Sequence, residues 1–117
     1  MRGRRVPEAT RRVLAPRETL HAPHLLDLEV AQVLRRYLGQ GDLSEQRAAE
    51  SLRDFLDLSV ARYPHEPFLP RIWQLRANLT AYDAAYVALA EALDAPLVTR
   101  DARLARAAGH EARIELF

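Results

Sequence analysis

The sequence has 117 residues, of which 49% are hydrophobic and 28% are charged, which is the composition of one ordinary globular domain. This balance excludes a disordered chain, and no segment approaches the roughly 18 consecutive apolar residues that a membrane span needs. Net charge is +1, and there is no cysteine, which excludes a disulfide scaffold and a thiol nucleophile. We therefore expect residues 1–117 to form a single domain in the cytoplasm, without a membrane partner.

The first half of the chain predicts a strand between helices. Residues 7–15 have a helical pattern that ends at a proline, and residues 19–22 are predicted to form a short strand. Apolar residues spaced three and four apart predict a helix over 25–38. Asp42 and Glu45 have the spacing of a capping box for a second helix, so these two helices should form a hairpin.

The second half predicts strands that alternate with helices. Strands are expected over 58–63, 96–99 and 112–116, and helices over 68–78, 80–93 and 102–108. We expect Trp73, in the first of these helices, to cover the core. Alternation of this kind predicts an α/β fold with a mostly parallel sheet flanked by helices, and with functional groups at the carboxyl ends of the strands.

Three carboxylates stand out by their positions. Glu29 and Asp83 fall in the first turns of predicted helices, where the positive end of the helix dipole stabilises negative charge by roughly 0.3–1 kcal/mol. Asp101 follows an apolar strand and should lie at its mouth. Three carboxylates at one mouth would repel one another unless a divalent cation such as Mg²⁺ neutralised them. That arrangement suits metal-assisted hydrolysis of phosphodiesters.

Each acid also has a purely structural interpretation. Thr80 and Asp83 have capping-box spacing, so Asp83 could serve only to bind the Thr80 amide. Asp101 could be the N-cap of the following helix, and Glu29 a solvated acid at a helix start. Spacing alone leaves these alternatives open.

Other residues suggest chemistry less strongly. Arg100 and Arg103 flank Asp101 and could contact a phosphate backbone, although a solvated helix face explains them equally well. The four histidines form no i, i+4 pair that would predict a zinc site. Without lysine no phosphate-binding Gly-Lys-Ser/Thr loop is possible, and no serine lies at a glycine elbow.

Three strings, APHLLDLEVAQVLRR, LTAYDAAYVALAEAL and APLVTRDARLARA, each contain one of these acids. In their order and spacing they resemble a PIN-domain ribonuclease of the VapC toxin type, over nearly the whole chain. The resemblance implies a PIN-like three-layer fold in which Glu29, Asp83 and Asp101 are three of four acids that bind Mg²⁺ or Mn²⁺. It also implies an RNA substrate, a small antitoxin partner and a homodimer.

The family's first metal-binding aspartate, which ends a central N-terminal strand, has no counterpart in this sequence. The resemblance therefore makes the domain N-terminally incomplete, and the strands near Thr19 and Leu97 should either pair directly or leave ladder positions unmatched. We expect either that the reading frame continues upstream into an apolar strand ending in aspartate, or that the protein is a shortened copy.

Two functions follow. The first is the toxin of a type II toxin-antitoxin pair, a metal-dependent endoribonuclease. The second is a non-catalytic PIN-like module that binds an antitoxin or RNA without cutting it. A third interpretation, in which the acids only cap helices, predicts no stabilisation by metal and a loss of roughly 1 kcal/mol when Asp83 is replaced by alanine.

Overall fold

A computed structural model describes residues 20–116, in which strands and helices alternate along the chain. The strands are β1 (Leu20–Pro23), β2 (Val60–Tyr63), β3 (Leu97–Thr99) and β4 (Ile114–Leu116). The helices are α1 (Leu25–Gly39), α2 (Glu45–Leu56), α3 (Leu69–Gln74), α4 (Ala81–Leu93) and α5 (Ala102–Arg106), and a 3₁₀ turn covers Glu66–Phe68. The predicted α/β class is therefore confirmed, while the helix predicted over residues 7–15 lies outside the described part.

The four strands form two parallel pairs. β1 pairs with β2, with Leu20 opposite Val60, and β3 pairs with β4, with Leu97 opposite Ile114. Parallel pairing is confirmed, but within residues 20–116 the two pairs are not joined into one sheet, because β1 and β3 do not pair with each other. Both strands instead contact α4.

Helix α4 is the centre of the hydrophobic core. Its seven consecutive residues 84–90 are all buried, as expected for a helix that is apolar around its whole circumference. Ile72 and Leu75 pack on it from one side, and Leu97 and Leu104 belong to the same cluster. None of the helices in residues 20–116 is long and apolar enough to cross a membrane.

Two details at helix ends differ from the sequence prediction. The N-cap of α2 is Ser44 rather than Asp42, since the Ser44 hydroxyl accepts a hydrogen bond of 3.1 Å from the Arg47 amide. The helix predicted over 68–78 is broken into the 3₁₀ turn and the short α3, each of which begins with a proline at its first or second position. Proline favours a helix start and disfavours continuation from the preceding turn.

The expectation that Trp73 covers the core is wrong, because its side chain lies on the surface and the residue is 66% exposed. Ile72 and Leu75 both face the core. At 100° per residue Trp73 is turned about 100° from Ile72 and about 160° from Leu75, so it points away from α4.

A bidentate ion pair ties α3 to α4 and to the segment before β4. Arg71 donates from Nε and Nη2 to the two oxygens of Glu91, at 2.7 and 2.9 Å, and also to the Gly109 carbonyl at 3.0 Å. Glu91 accepts a further bond of 2.7 Å from the Glu111 amide. The hydrogen bond from Arg71, and to a lesser extent that from the Glu111 amide, holds the pKa of Glu91 below its usual value of 4.5 although partial burial acts to raise it.

We expect Glu91→Gln to lower the free energy of unfolding by about 1.5 kcal/mol at neutral pH, the scale of a hydrogen bond to a charged group. Because folding lowers the pKa of Glu91, its charged pair stabilises the protein above the unfolded value, and that stabilisation is lost as the pH falls through the folded value. The difference between variant and parent should therefore shrink below about pH 4.5. Urea unfolding at a series of pH values measures it.

The matched control is Asp94→Asn. Asp94 lies 3.9 Å from Arg113, and its side chain is 94% exposed, so the pair should contribute less than about 0.5 kcal/mol. Asparagine also tolerates the left-handed backbone of Asp94 (φ 49°). Equal losses in the two variants would contradict the role given to the Arg71–Glu91 pair.

Candidate metal site

Glu29 is attached to the core helix by a buried tyrosine. Tyr86 of α4, which has no solvent exposure, donates its hydroxyl hydrogen to Oε1 of Glu29, in the second turn of α1. Buried tyrosines generally find an acceptor for this hydrogen. The bond joins residues 57 positions apart and fixes where the Glu29 carboxylate lies relative to α4.

Asp83 lies on the same side of α4 as Tyr86. The two residues are three positions apart, which corresponds to about 4.5 Å along the helix axis and to one face. The Oδ1 atom of Asp83 is buried. Tyr86 therefore holds Glu29 against the helix whose first turn contains Asp83.

The first turn of α4 is capped by Thr80. Its hydroxyl accepts a hydrogen bond of 3.2 Å from the Asp83 amide, which is half of a capping box. The Thr80 half of the predicted capping box is therefore confirmed.

Asp101 follows β3 and is the N-cap of α5, as its structural interpretation predicts. Its Oδ1 accepts from the Arg103 amide at 2.9 Å, and its own amide donates to the Thr99 hydroxyl at 3.1 Å. The Arg103 guanidinium also binds both Asp101 oxygens, at 3.1 and 2.9 Å. That hydrogen bond, with the charge of Asp101, raises the pKa of Arg103.

The structure relates two of the three predicted acids to α4. Glu29 is bound by Tyr86 of that helix and Asp83 lies in its first turn, while the Asp101 carboxylate binds the Arg103 amide and guanidinium. Within residues 20–116, no three His, Asp or Glu side chains form a group that could hold a metal ion. The donors are carboxylate oxygens, which suit Mg²⁺ held by one or two carboxylates together with water. Their role as ligands stays a prediction.

The two predicted RNA-binding arginines differ in what they contact. Arg100 is exposed at the end of β3. Arg103 is also exposed, with 81% of its side chain accessible, but its guanidinium is paired with Asp101. Of the two, Arg100 is the one whose charge is not paired with a carboxylate within residues 20–116.

Three histidines that looked scattered in the sequence gather where β1 and β2 end. His65 accepts a hydrogen bond of 3.2 Å at Nε2 from the Leu25 amide, so it caps α1 in place of the adjacent His24. The His24 and His65 rings are 6.2 Å apart, and His21 shares a hydrogen bond of 2.7 Å with the Tyr63 hydroxyl. These contacts hold α1, and thereby Glu29, at this edge.

The sequence interpretation missed Tyr86. It assigned no role to this tyrosine, which lies among alanine, valine and leucine in an apolar helix. Its signal was its position three residues after Asp83, because a hydroxyl there must reach a polar partner on the same face.

Comparisons with known proteins identify the family of this chain. The model of the PIN domain family matches residues 1–110. Ribonuclease VapC1 of Mycobacterium tuberculosis is 50% identical over 97 residues, covering 82% of this chain and 73% of the relative. Ribonuclease VapC9 of the same organism is 50% identical over 93 residues (80% and 73%), and Ribonuclease VapC12 is 46% identical over 99 residues (85% and 77%). The chain belongs to the PIN domain family.

Proposed function

We propose that this protein is the toxin of a type II toxin-antitoxin system, an endoribonuclease that hydrolyses RNA phosphodiester bonds with the help of a divalent cation. The observation that carries the proposal is the hydrogen bond from Tyr86 to Glu29, which ties a second carboxylate to α4 at a residue three positions after Asp83. The three relatives described above are named ribonucleases, which supports hydrolysis of RNA as the reaction.

Glu29, Asp83 and Asp101 are the residues that would hold Mg²⁺ or Mn²⁺. A cation bound there would activate water and offset the charge that develops on the scissile phosphate. The chain's own contribution is to keep its acids in place: Tyr86 orients Glu29, and Thr80 closes the first turn of α4 around Asp83. The amino-terminal end of α4 also favours negative charge at this position.

Asp101 has to leave Arg103 before it can join the other two acids. Both Asp101 oxygens are engaged by the Arg103 guanidinium, and the Arg103 side chain is exposed enough to swing into solvent. A released guanidinium could pair with a phosphate through two nitrogens, beside Arg100. We propose that the Asp101–Arg103 pair opens when RNA binds, so that one rearrangement supplies both a ligand and a phosphate contact.

The protein partner proposed from the family resemblance is a small antitoxin. Helices α1 and α2 expose large apolar side chains, among them Leu28 (71% exposed) and Leu56 (63%). Surfaces with many exposed apolar side chains are typical of protein interaction sites. We assign this surface to the antitoxin, and also propose a homodimer and a cytoplasmic location.

We expect Asp83→Asn to reduce RNA cleavage by more than about 100-fold, because loss of even an outer partner of a metal ligand commonly costs 10–100-fold. The same variant should lose the rise in melting temperature that Mn²⁺ or Mg²⁺ gives the parent, since only a bound cation shifts folding in this way. Cleavage is measured on single-stranded RNA and the melting temperature by circular dichroism.

The control for this experiment is Asp57→Asn, at the exposed end of α2, which should change neither readout. A parent protein that is folded and gains stability from Mn²⁺ but cuts no RNA would favour the non-catalytic binding module. A parent that shows neither effect would contradict the metal site altogether.

We expect Tyr86→Phe to raise the Mn²⁺ concentration for half-maximal cleavage about 10- to 100-fold, because the variant keeps the ring in the core but no longer orients Glu29. A purely structural tyrosine would lower stability without changing the dependence on metal. Cleavage rates over a Mn²⁺ series, together with urea unfolding of the same variant, separate these results.

We expect the double variant Leu28→Glu/Leu56→Glu to remain folded, because both side chains are exposed, and to lose binding of the cognate antitoxin in calorimetry. Charged residues at the centre of an interface carry a large desolvation cost. Sedimentation of the protein alone provides the control. If the parent is a dimer and the variant a monomer, the surface joins two copies and our assignment to the antitoxin is wrong.

A further inference from the structure

Trp73 and Arg76 form an exposed aromatic and cationic pair on the surface. The Arg76 guanidinium carbon lies 4.4 Å from the centre of the Trp73 ring, and Nη1 of Arg76 donates to the Trp73 carbonyl at 2.9 Å. The tryptophan is nevertheless 66% exposed. Arg76 thus stacks against the indole and steadies it without covering it.

The charge of Arg76 is not compensated within the described part of the chain. Among residues 20–116 it forms no ion pair, unlike Arg62, Arg71 and Arg103, each of which binds a carboxylate. An indole beside an uncompensated guanidinium offers a stacking surface for a base and a positive charge for a phosphate. A neutral or basic partner would gain nothing from the charge.

The pair also leads directly into the proposed metal site. Arg76 lies four positions before Thr80, the cap of the helix whose first turn contains Asp83, and a stretch of four residues spans at most about 14 Å. The intervening turn is tightened by the bond from the Leu79 amide to the Leu75 carbonyl, at 3.0 Å. One short RNA strand can therefore reach both places.

We propose that Trp73 and Arg76 form a stacking platform for an unpaired base of single-stranded RNA, which holds the strand a few nucleotides from the site of cleavage. This inference rests on the proposed ribonuclease function and adds a substrate-binding residue to it. The base stacks on the accessible surface of the indole, while Arg76 contacts the adjoining phosphate.

Trp73 is the only tryptophan of the chain, so its fluorescence reports directly on this surface. We expect single-stranded RNA of about 12 nucleotides, within the usual site size of such surfaces, to quench that fluorescence in the full protein with EDTA present. An abasic strand of the same length, which has the phosphates but no bases, should bind more weakly and quench little.

Substitutions give a second readout. Anisotropy of labelled RNA should show binding about 5- to 150-fold weaker for Trp73→Ala, the range for loss of one stacked base, and a smaller loss for Trp73→Phe, which keeps a ring. Arg76→Ala should reduce the slope of log affinity against log salt by about 0.7, the value for one phosphate on a single strand.

Tyr37→Ala is the matched control, because Tyr37 is an exposed aromatic residue on α1 with Arg36 at 5.9 Å; it should bind RNA as the parent does. RNA that binds without quenching, or equally to Trp73→Ala, overturns the platform while leaving the ribonuclease function standing. Quenching by the antitoxin and not by RNA would assign the pair to a protein interface and also overturn it. Quenching by RNA in a protein that never cleaves supports the platform and contradicts only the function.

Discussion

Helix α4 is surrounded by protein for most of its length, and this constrains where polar chemistry can occur. Residues 84–90 are buried one after another, so an ionised side chain among them would have to be desolvated at a cost of several kcal/mol. Asp83 lies just before this run, where the helix amides and the adjacent surface can stabilise charge. The single polar atom that enters the run is the Tyr86 hydroxyl, and it is satisfied by Glu29. The proposed ligand Asp83 therefore lies at the amino-terminal edge of the buried run rather than within it.

The same residues serve the fold and the proposed chemistry, but to different degrees. The Thr80 hydroxyl caps α4 whether or not Asp83 binds an ion. Asp101 already accepts hydrogen bonds from the Arg103 amide and guanidinium. If Asp101 bound a metal ion, it would lose some of these contacts. Of the three proposed ligands, Asp101 is therefore the one whose use would depend most on what the substrate offers Arg103.

Much of the fold could be predicted from the spacing of apolar residues and from the capping residues, glycines and prolines that begin or end elements. The limits of α1 and α4 were predicted to within a residue, because long apolar stripes and clear caps define them. The helix predicted over 68–78 is interrupted because two prolines each begin a new helical segment. Strands β3 and β4 are shorter than predicted, because the ends of a strand depend on pairing partners that the local sequence does not encode. The union of all strands into one sheet was expected from alternation alone, which says nothing about whether β1 and β3 pair.

The candidate site was predictable residue by residue but not as an arrangement. Placing Glu29, Asp83 and Asp101 near helix starts required only local patterns, whereas the hydrogen bond between Tyr86 and Glu29 spans 57 positions and has no local signature. Trp73 shows the opposite failure, since composition assigns a large aromatic residue to the core and helix geometry turns it outward. Trp73 is one of several exposed large apolar side chains, and the Arg76 guanidinium 4.4 Å from its ring centre sets it apart from them. Because the Arg76 guanidinium against that indole forms no ion pair within residues 20–116, the pair suits an anionic partner such as the proposed RNA better than an apolar surface.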